Sequence, residues 1–149
     1  MATTGNGNKR RIAPSDEVAT YLDRLRYAIN EGKAKIQFQF ERRVDDSRDK
    51  VYTNKHTILN FFPDEDVLDA LRREILCLRV DEYLETVKDL RFPKRSEMWV
   101  FGKYYNQQGV YIKIRVELAS TLAYGENFVF VMSFHFAEIP MQKDQFPYA

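Results

Sequence analysis

Gly109-Val110-Tyr111-Ile112-Lys113-Ile114-Arg115-Val116-Glu117-Leu118 alternates without a break between aliphatic side chains and tyrosine, lysine, arginine or glutamate. Successive side chains of an extended strand point to opposite faces of a sheet. We therefore expect the aliphatic set to pack in a core while Tyr111, Lys113 and Arg115 line up on the other face, with the two cations about 7 Å apart. A phenol beside two cations suits a phosphate ligand. The same alternation is also typical of an ordinary strand whose polar side chains face water.

Length and composition predict one globular domain. The chain has 149 residues, of which 44% are hydrophobic and 14% aromatic, enough for a single core. We expect a flexible N-terminal tail over 1–14, one domain over 15–138 and a C-terminal coil over 139–149. Cys77 is the only cysteine and excludes an internal disulfide, and the two histidines lack neighbours at ligand spacing, which predicts no metal site.

Other sequence patterns exclude several functional classes. No glycine-rich phosphate loop or nucleophile elbow is present, so we expect no small-molecule cofactor. No apolar run reaches membrane-spanning length and the polar start does not resemble a signal peptide, which predicts a cytoplasmic protein without a membrane partner. The 23 basic and 22 acidic residues give a net charge of +1, so any nucleic-acid contact must be local. Basic residues concentrate in 91–95 and 103–115.

Periodicity predicts an α+β fold. Helical spacing covers 16–31, with Ser15 as its N-cap and Gly32 as its stop, and returns over 55–90 with a break at Phe62-Pro63 and a short helix restarting at Asp81. Strand patterns cover 36–40, at a sheet edge, and 98–105, 110–118 and 128–138. The short connections between the last three predict an antiparallel, curved sheet of three to four strands with helices packed on one side.

The last strand, 128–138, carries apolar side chains at both alternating sets of positions. Strict alternation places Phe128, Phe130, Met132, Phe134 and Phe136 on one face, and Val129, Val131 and Ala137 on the other with Ser133 and His135. Such a strand is expected to be central and buried. A histidine in an apolar strand is often a core residue bonded to backbone, and catalysis is the alternative interpretation of His135.

Five side chains on these strands suit metal-independent RNA cleavage: Lys103, Tyr111, Lys113, Arg115 and His135. The reaction needs a base for the 2′-hydroxyl proton, cations for the phosphorane and an acid for the 5′-oxygen. Trp99 could stack a base, but we expect it in the core.

The C-terminal half resembles the MqsR family of toxin–antitoxin ribonucleases. The resemblance rests on four short runs: Asp81-Glu82-Tyr83-Leu84, Met98-Trp99-Val100-Phe101-Gly102-Lys103, Val110-Tyr111-Ile112-Lys113-Ile114 and Val131-Met132-Ser133-Phe134-His135. It covers roughly residues 55 to 138, and a weaker similarity extends over the N-terminal helix and strand. It implies a RelE/MqsR-like fold and an mRNA-cleaving toxin held in check by a cognate antitoxin.

The resemblance also implies site residues. Tyr111 matches the family's catalytic tyrosine and Lys113 its strand lysine, while His135 stands where the family has a lysine. The family's helix lysine falls near Leu84 or Glu85 and its strand glutamine at Val100, so two expected groups are missing. Lys88 or Lys103 could supply the missing cation, and with Arg115 these two are predicted to bind RNA. The alternative function is a non-catalytic protein-binding or inhibitor module that presents an exposed apolar patch including Phe146 and Tyr148.

Overall fold

The computed structural model describes residues 3–4, 7–31, 33–41, 52–117 and 128–149. The predicted helix stop Gly32, the polar run 42–50 after the first predicted strand, and Leu118 lie outside the described residues. Within them the chain is α+β, as predicted. Helices pack on one face of a mixed sheet that has more strands than expected.

In the described ranges, three helices line that face. They are α1 (Ser15–Asn30), α2 (Asn54–Phe61) and α3 (Val67–Leu76). Helix α1 begins after Pro14, whose side chain makes no cap, so the prediction that Ser15 caps the helix is wrong. The break at Phe62-Pro63 is confirmed, and α3 restarts on the Asp66 carboxylate, which accepts hydrogen bonds from two amides of the first turn.

Among the described residues, seven strands form the sheet in the spatial order β1-β2-β4-β5-β6-β7-β3. Their bounds are β1 Thr3–Thr4, β2 Asn8–Arg11, β3 Lys35–Phe38, β4 Tyr83–Asp89, β5 Met98–Tyr105, β6 Gln108–Glu117 and β7 Phe128–Phe136. Strands β5, β6 and β7 form the predicted antiparallel meander. Strand β3 lies at the edge as predicted but pairs in parallel with β7, so the expectation of a purely antiparallel sheet is wrong. The parallel pair is possible because α2, α3 and three strands separate β3 from β7 in the chain.

Strand β4 replaces the short helix predicted to restart at Asp81. Only a 3-10 turn, Val80–Glu82, is present there, and the chain then runs extended between β2 and β5. A register shift between Tyr83 and Glu85 breaks the alternation that would have marked a strand. Tertiary pairing on both sides therefore overrides the helical pattern.

Both chain ends are more ordered than predicted. Residues of the expected N-terminal tail form β2, which pairs antiparallel with β4. The C-terminal segment, residues 139–149, contains a 3-10 turn at Lys143–Gln145 and crosses the sheet. Its Phe146 packs with Leu84, Val87, Met98 and Val100 on the face without helices. Farther along, the Tyr148 hydroxyl donates to the Ala13 carbonyl at the start of α1. We call the face of the sheet without helices, on which Val100 and Tyr111 lie, the open face.

Candidate functional site

The open face carries a cleft of about 630 Å³. Strands β4, β5, β6 and β7 supply its floor, β2 supplies one wall, and Asp144 and Gln145 of the C-terminal segment lie at its rim. Tyr111, Lys113 and His135 all line this cleft, so the three predicted catalytic residues share one space. Alternation in β6 explains the arrangement, because Val110, Ile112, Ile114 and Val116 are buried against the helices.

Tyr111 and His135 occupy opposed positions on β6 and β7, and their ring centroids lie 6.2 Å apart. His135 Nδ1 lies 3.0 Å from the carbonyl oxygen of Phe136. Since a carbonyl only accepts, Nδ1 carries the proton in this contact and Nε2 becomes the acceptor atom of the neutral ring. One ring nitrogen of His135 is therefore bonded to backbone, and the side chain lies in the cleft.

Lys113 is opposed by Ser133, one step farther along the same two strands. Ser133 is 2% exposed, and its side chain lines the cleft. A bulge follows this pair. Lys113 opposes Ser133 and the next residue, Ile114, opposes Val131, so Met132 has no opposite residue on β6. Sequence reasoning did not assign Ser133 to the site.

The bulge also corrects the predicted faces of β7. Val129 and Val131 join Phe134 and Phe136 in the core under the helices. Phe130 and Met132 instead pack with the open-face cluster. Strict alternation therefore fails at Met132, where the extra residue shifts the pattern by one. Strand β7 is buried on the helix face, but Phe130, Met132 and His135 on the open face are only partly buried, and the strand lies next to the edge strand β3 rather than at the sheet centre.

Helix α2 fixes the part of β7 that bears the site. Strand β3 pairs with β7 only as far as Val131, and buried Asn54 and Thr57 then take over the backbone groups of β7. The Asn54 side-chain amide donates to the Met132 carbonyl at 2.9 Å and accepts from the Phe134 amide at 2.9 Å. The Thr57 hydroxyl accepts from the Phe136 amide at 3.0 Å. His135 thus lies between two backbone amides that α2 holds.

Arg10 and Glu85 form the opposite wall of the cleft. Arg10 Nη1 lies 3.3 Å from Glu85 Oε2, with side chains 52% and 27% exposed. Arg10 reaches the cleft because β2 pairs with β4. The prediction of a flexible tail over 1–14 did not include this pairing. Glu85 and Leu84, the positions near which the resemblance expects a lysine, both line the cleft, as does Val100. Arg10 thus brings a second cation, besides Lys113, to the cleft, and the sequence signal for it was the Lys9-Arg10-Arg11 triplet.

The three residues predicted to bind RNA are separated by the fold. Lys103 opposes Val110, so it lies on the helix face, where its Nζ is 3.9 Å from Glu82 Oε2. Burial raises the pKa of that carboxyl. Lys88 lies outside the cleft, with its Nζ bonded to loop carbonyls. Arg115 is on the open face beyond Lys113, with its guanidinium 4.9 Å from the Phe130 ring centroid.

Three further predictions concern Trp99, a metal site and a membrane-spanning helix. Trp99 is 5% exposed and stacks on Tyr21 at 4.1 Å, so the prediction that it belongs to the core is confirmed. In the described ranges, no three His, Cys, Asp or Glu side chains are grouped to hold a metal ion. None of the helices described has the length and apolar character needed to cross a membrane.

The chain matches none of the protein-family models, none of the curated proteins and none of the solved structures with which it was compared. Family membership is therefore not established by similarity.

Proposed function

We propose that the protein is an endoribonuclease that cleaves mRNA without a metal ion and acts as the toxin of a type II toxin–antitoxin system. The observation that carries the proposal is the shared cleft of Tyr111, Lys113 and His135, with Arg10 on its far wall. A proton acceptor, a proton donor and two cations are the groups that transesterification of RNA requires.

Each group has a role in this scheme. Nε2 of His135 takes the proton from a ribose 2′-hydroxyl, whose oxygen attacks the adjacent phosphorus. Lys113 and Arg10 stabilise the additional negative charge of the phosphorane. The Tyr111 hydroxyl gives its proton to the departing 5′-oxygen. The products are a 2′,3′-cyclic phosphate on one fragment and a 5′-hydroxyl on the other, so atoms and charge balance.

The toxin assignment and a RelE/MqsR-like fold are supported by the way the four resembling runs converge. Leu84, Val100, Tyr111 and His135 come one from each run, and all of them line the cleft. The proposal places the protein in the cytoplasm, with mRNA as substrate and a cognate antitoxin as protein partner.

The alternative, a non-catalytic binding or inhibitor module, predicts an exposed apolar patch that includes Phe146 and Tyr148. Phe146 is partly buried in the open-face cluster, and Tyr148 packs against the main core with its ring 6.1 Å from that of Tyr83. The C-terminal aromatic residues therefore serve the fold, which favours the nuclease.

Purified protein incubated with an unstructured RNA pool in EDTA tests the cleavage. We expect fragments with 5′-hydroxyl and cyclic phosphate ends, and a loss of a hundredfold or more in rate for Tyr111→Phe, Lys113→Ala and His135→Ala. Arg72→Ala, an exposed change on α3, is the charge-matched control for Lys113→Ala and should cleave like wild type. Melting temperatures check that every variant is folded.

Two results would contradict the proposal. One is wild-type protein that is folded but leaves RNA intact, and the other is equal cleavage by the cleft variants. For the toxin role, induced expression should arrest growth of host cells, and Lys113→Ala should relieve the arrest. Harmless expression of active wild-type enzyme would leave a nuclease that is not a toxin.

A further inference from the structure

The end of β4 and the loop that leads to β5 form a basic part of the surface. Residues 88 to 95 contain four cations and one carboxylate, in a protein whose net charge is +1. The cations are Lys88, Arg91, Lys94 and Arg95. The carboxylate, Asp89, is paired with Arg91 at 3.1 Å. Lys94 has no hydrogen bond or ion pair to the other described residues, and its side chain is exposed.

The loop has a fixed shape. The Phe92 amide donates to the Asp89 carbonyl at 3.1 Å, and the Arg95 amide donates to the Phe92 carbonyl at 3.0 Å, which forms two successive turns. Lys88 Nζ donates to the carbonyl oxygens of Pro93, at 2.9 Å, and of Arg95. Such cross-bonding means that little conformational entropy is lost when a ligand binds the loop.

Phe92 lies exposed at the centre of this loop. Its side chain is 43% exposed, and the Arg95 guanidinium carbon is 3.9 Å from the ring centroid, with that of Arg91 at 5.8 Å. Aromatic rings with neighbouring cations are the usual binding surface for single-stranded nucleic acid, because bases stack on the ring and phosphates meet the cations. A duplex, whose bases are already stacked, cannot use the ring in this way.

The loop lies at the end of the β6 segment that leads out of the cleft, from Tyr111 to Glu117. Ser96 donates from its amide and hydroxyl to the Glu117 carboxylate, which fixes the loop at the last residue of β6. Arg115 Nε lies 3.2 Å from an oxygen of the same Glu117 carboxylate, so Arg115 and the loop meet at this residue. From Tyr111 to Glu117 the strand covers about 20 Å, or about six nucleotides at stacked spacing.

We propose that the β4–β5 loop is a second binding site for single-stranded RNA, in which Phe92 stacks on a base and Lys94 and Arg95 contact phosphates. The inference rests on the proposed function and specifies its substrate: a single strand long enough to lie in the cleft and extend past Arg115 to the loop. An oligonucleotide confined to the cleft gains nothing from the loop.

Fluorescence anisotropy with labelled 2′-O-methyl RNA tests the loop independently of cleavage, because this RNA lacks the attacking hydroxyl. The probes are a twelve-nucleotide and a four-nucleotide strand of mixed sequence. We expect Phe92→Ala to weaken binding of the longer strand roughly tenfold. Lys94→Ala combined with Arg95→Ala should lower the salt dependence of that binding by about 1.4 in the log–log slope. Arg72→Ala is the control for a lost charge, and the four-nucleotide strand is the control for length.

The inference fails if the loop variants bind the longer strand with wild-type affinity and wild-type salt slope, which would also be the result if the loop served a protein partner instead. It fails equally if they weaken the short and long strands alike. The proposed function has a separate criterion: a wild-type protein that binds the longer strand through the loop but cuts no RNA overturns the nuclease and leaves the loop standing. Unchanged melting temperatures show that Phe92→Ala acts on binding, and the Lys94 and Arg95 variant supplies a second measurement.

Discussion

Tyr111 and His135 face each other across the β6–β7 pair, with ring centroids 6.2 Å apart and both side chains in the same cleft. In the proposed reaction one takes a proton and the other gives one within a single transition state. When two groups act together in one step, the rate losses of their single variants do not multiply in the double variant.

We therefore expect Tyr111→Phe combined with His135→Gln to cleave RNA only slightly more slowly than the poorer single variant. Each single change should lower the single-turnover rate by about a hundredfold. Rate constants for wild type, both single variants and the double variant complete the cycle. A double variant slower by the product of the two single effects would show that the residues act in independent steps.

Asn54 joins α2 to the strand that bears His135, and its removal is expected to destabilise the fold. Asn54→Ala leaves the buried Phe134 amide and the Met132 carbonyl without their partners. We expect the free energy of unfolding to fall by about 2 to 4 kcal/mol. Asn60→Ala, an exposed change on the same helix, should stay within about 0.5 kcal/mol. Urea unfolding of both variants decides, and equal losses would refute the role of Asn54.

Local pattern was sufficient where one face of an element is buried and the register is regular. The stripe of Val18, Leu22, Leu25 and Ile29 predicted α1, and unbroken alternation predicted β6 and the shared face of Tyr111 and Lys113. His135 was placed correctly on the face opposite Phe134 and Phe136, but Val129 and Val131, which were predicted to share its face, lie on the other one. The site could be predicted to the extent that it lies on β6.

The remaining elements depend on contacts that sequence pattern does not encode. The Asn8-Lys9-Arg10-Arg11 run has no apolar face, and it is a strand only because the edge of β4 is open to it. A bulge at Met132 shifts the faces of β7 by one residue, and a one-residue shift reverses every side chain beyond it. Arg10 was missed at the site for the first of these reasons. Ser133 was predicted to share a face with His135 but was not assigned to the site.

Acid should weaken the contact between Arg11 and Glu97. Two hydrogen bonds of 2.8 Å join them, and the Arg11 guanidinium lowers the pKa of the Glu97 carboxyl. A carboxyl whose pKa is lower in the folded state stabilises fully above its unfolded value of about 4.3, and this contribution is lost as the pH falls through the folded value. Glu97→Gln is expected to lose about 1 kcal/mol at pH 7, since the pair is partly exposed.

The difference between wild type and Glu97→Gln should shrink when unfolding is measured at about pH 3. Glu31→Gln, an exposed change at the end of α1, provides the control and should change stability by no more than about 0.5 kcal/mol at either pH. A Glu97→Gln penalty that stays constant between the two pH values would contradict the assignment of this pair as the acid-sensitive contact.

Gly102 allows the C-terminal segment to lie directly on the sheet. A Cβ added there would sit 2.8 Å from Met141 Sδ and 2.9 Å from two ring carbons of Phe146, closer than real contacts allow. Gly102→Ala should therefore displace the segment and reduce the free energy of unfolding by about 1 to 3 kcal/mol. The same substitution made together with Met141→Ala and Phe146→Ala should add little to the loss those two changes cause, because the colliding atoms are gone. Since Asp144 and Gln145 belong to the displaced segment and line the cleft, Gly102→Ala should also raise the KM for RNA. Chemical unfolding of wild type, Gly102→Ala, the Met141→Ala and Phe146→Ala double variant and the triple variant measures the coupling. If Gly102→Ala costs as much stability in the double variant as in wild type, the glycine is needed for another reason.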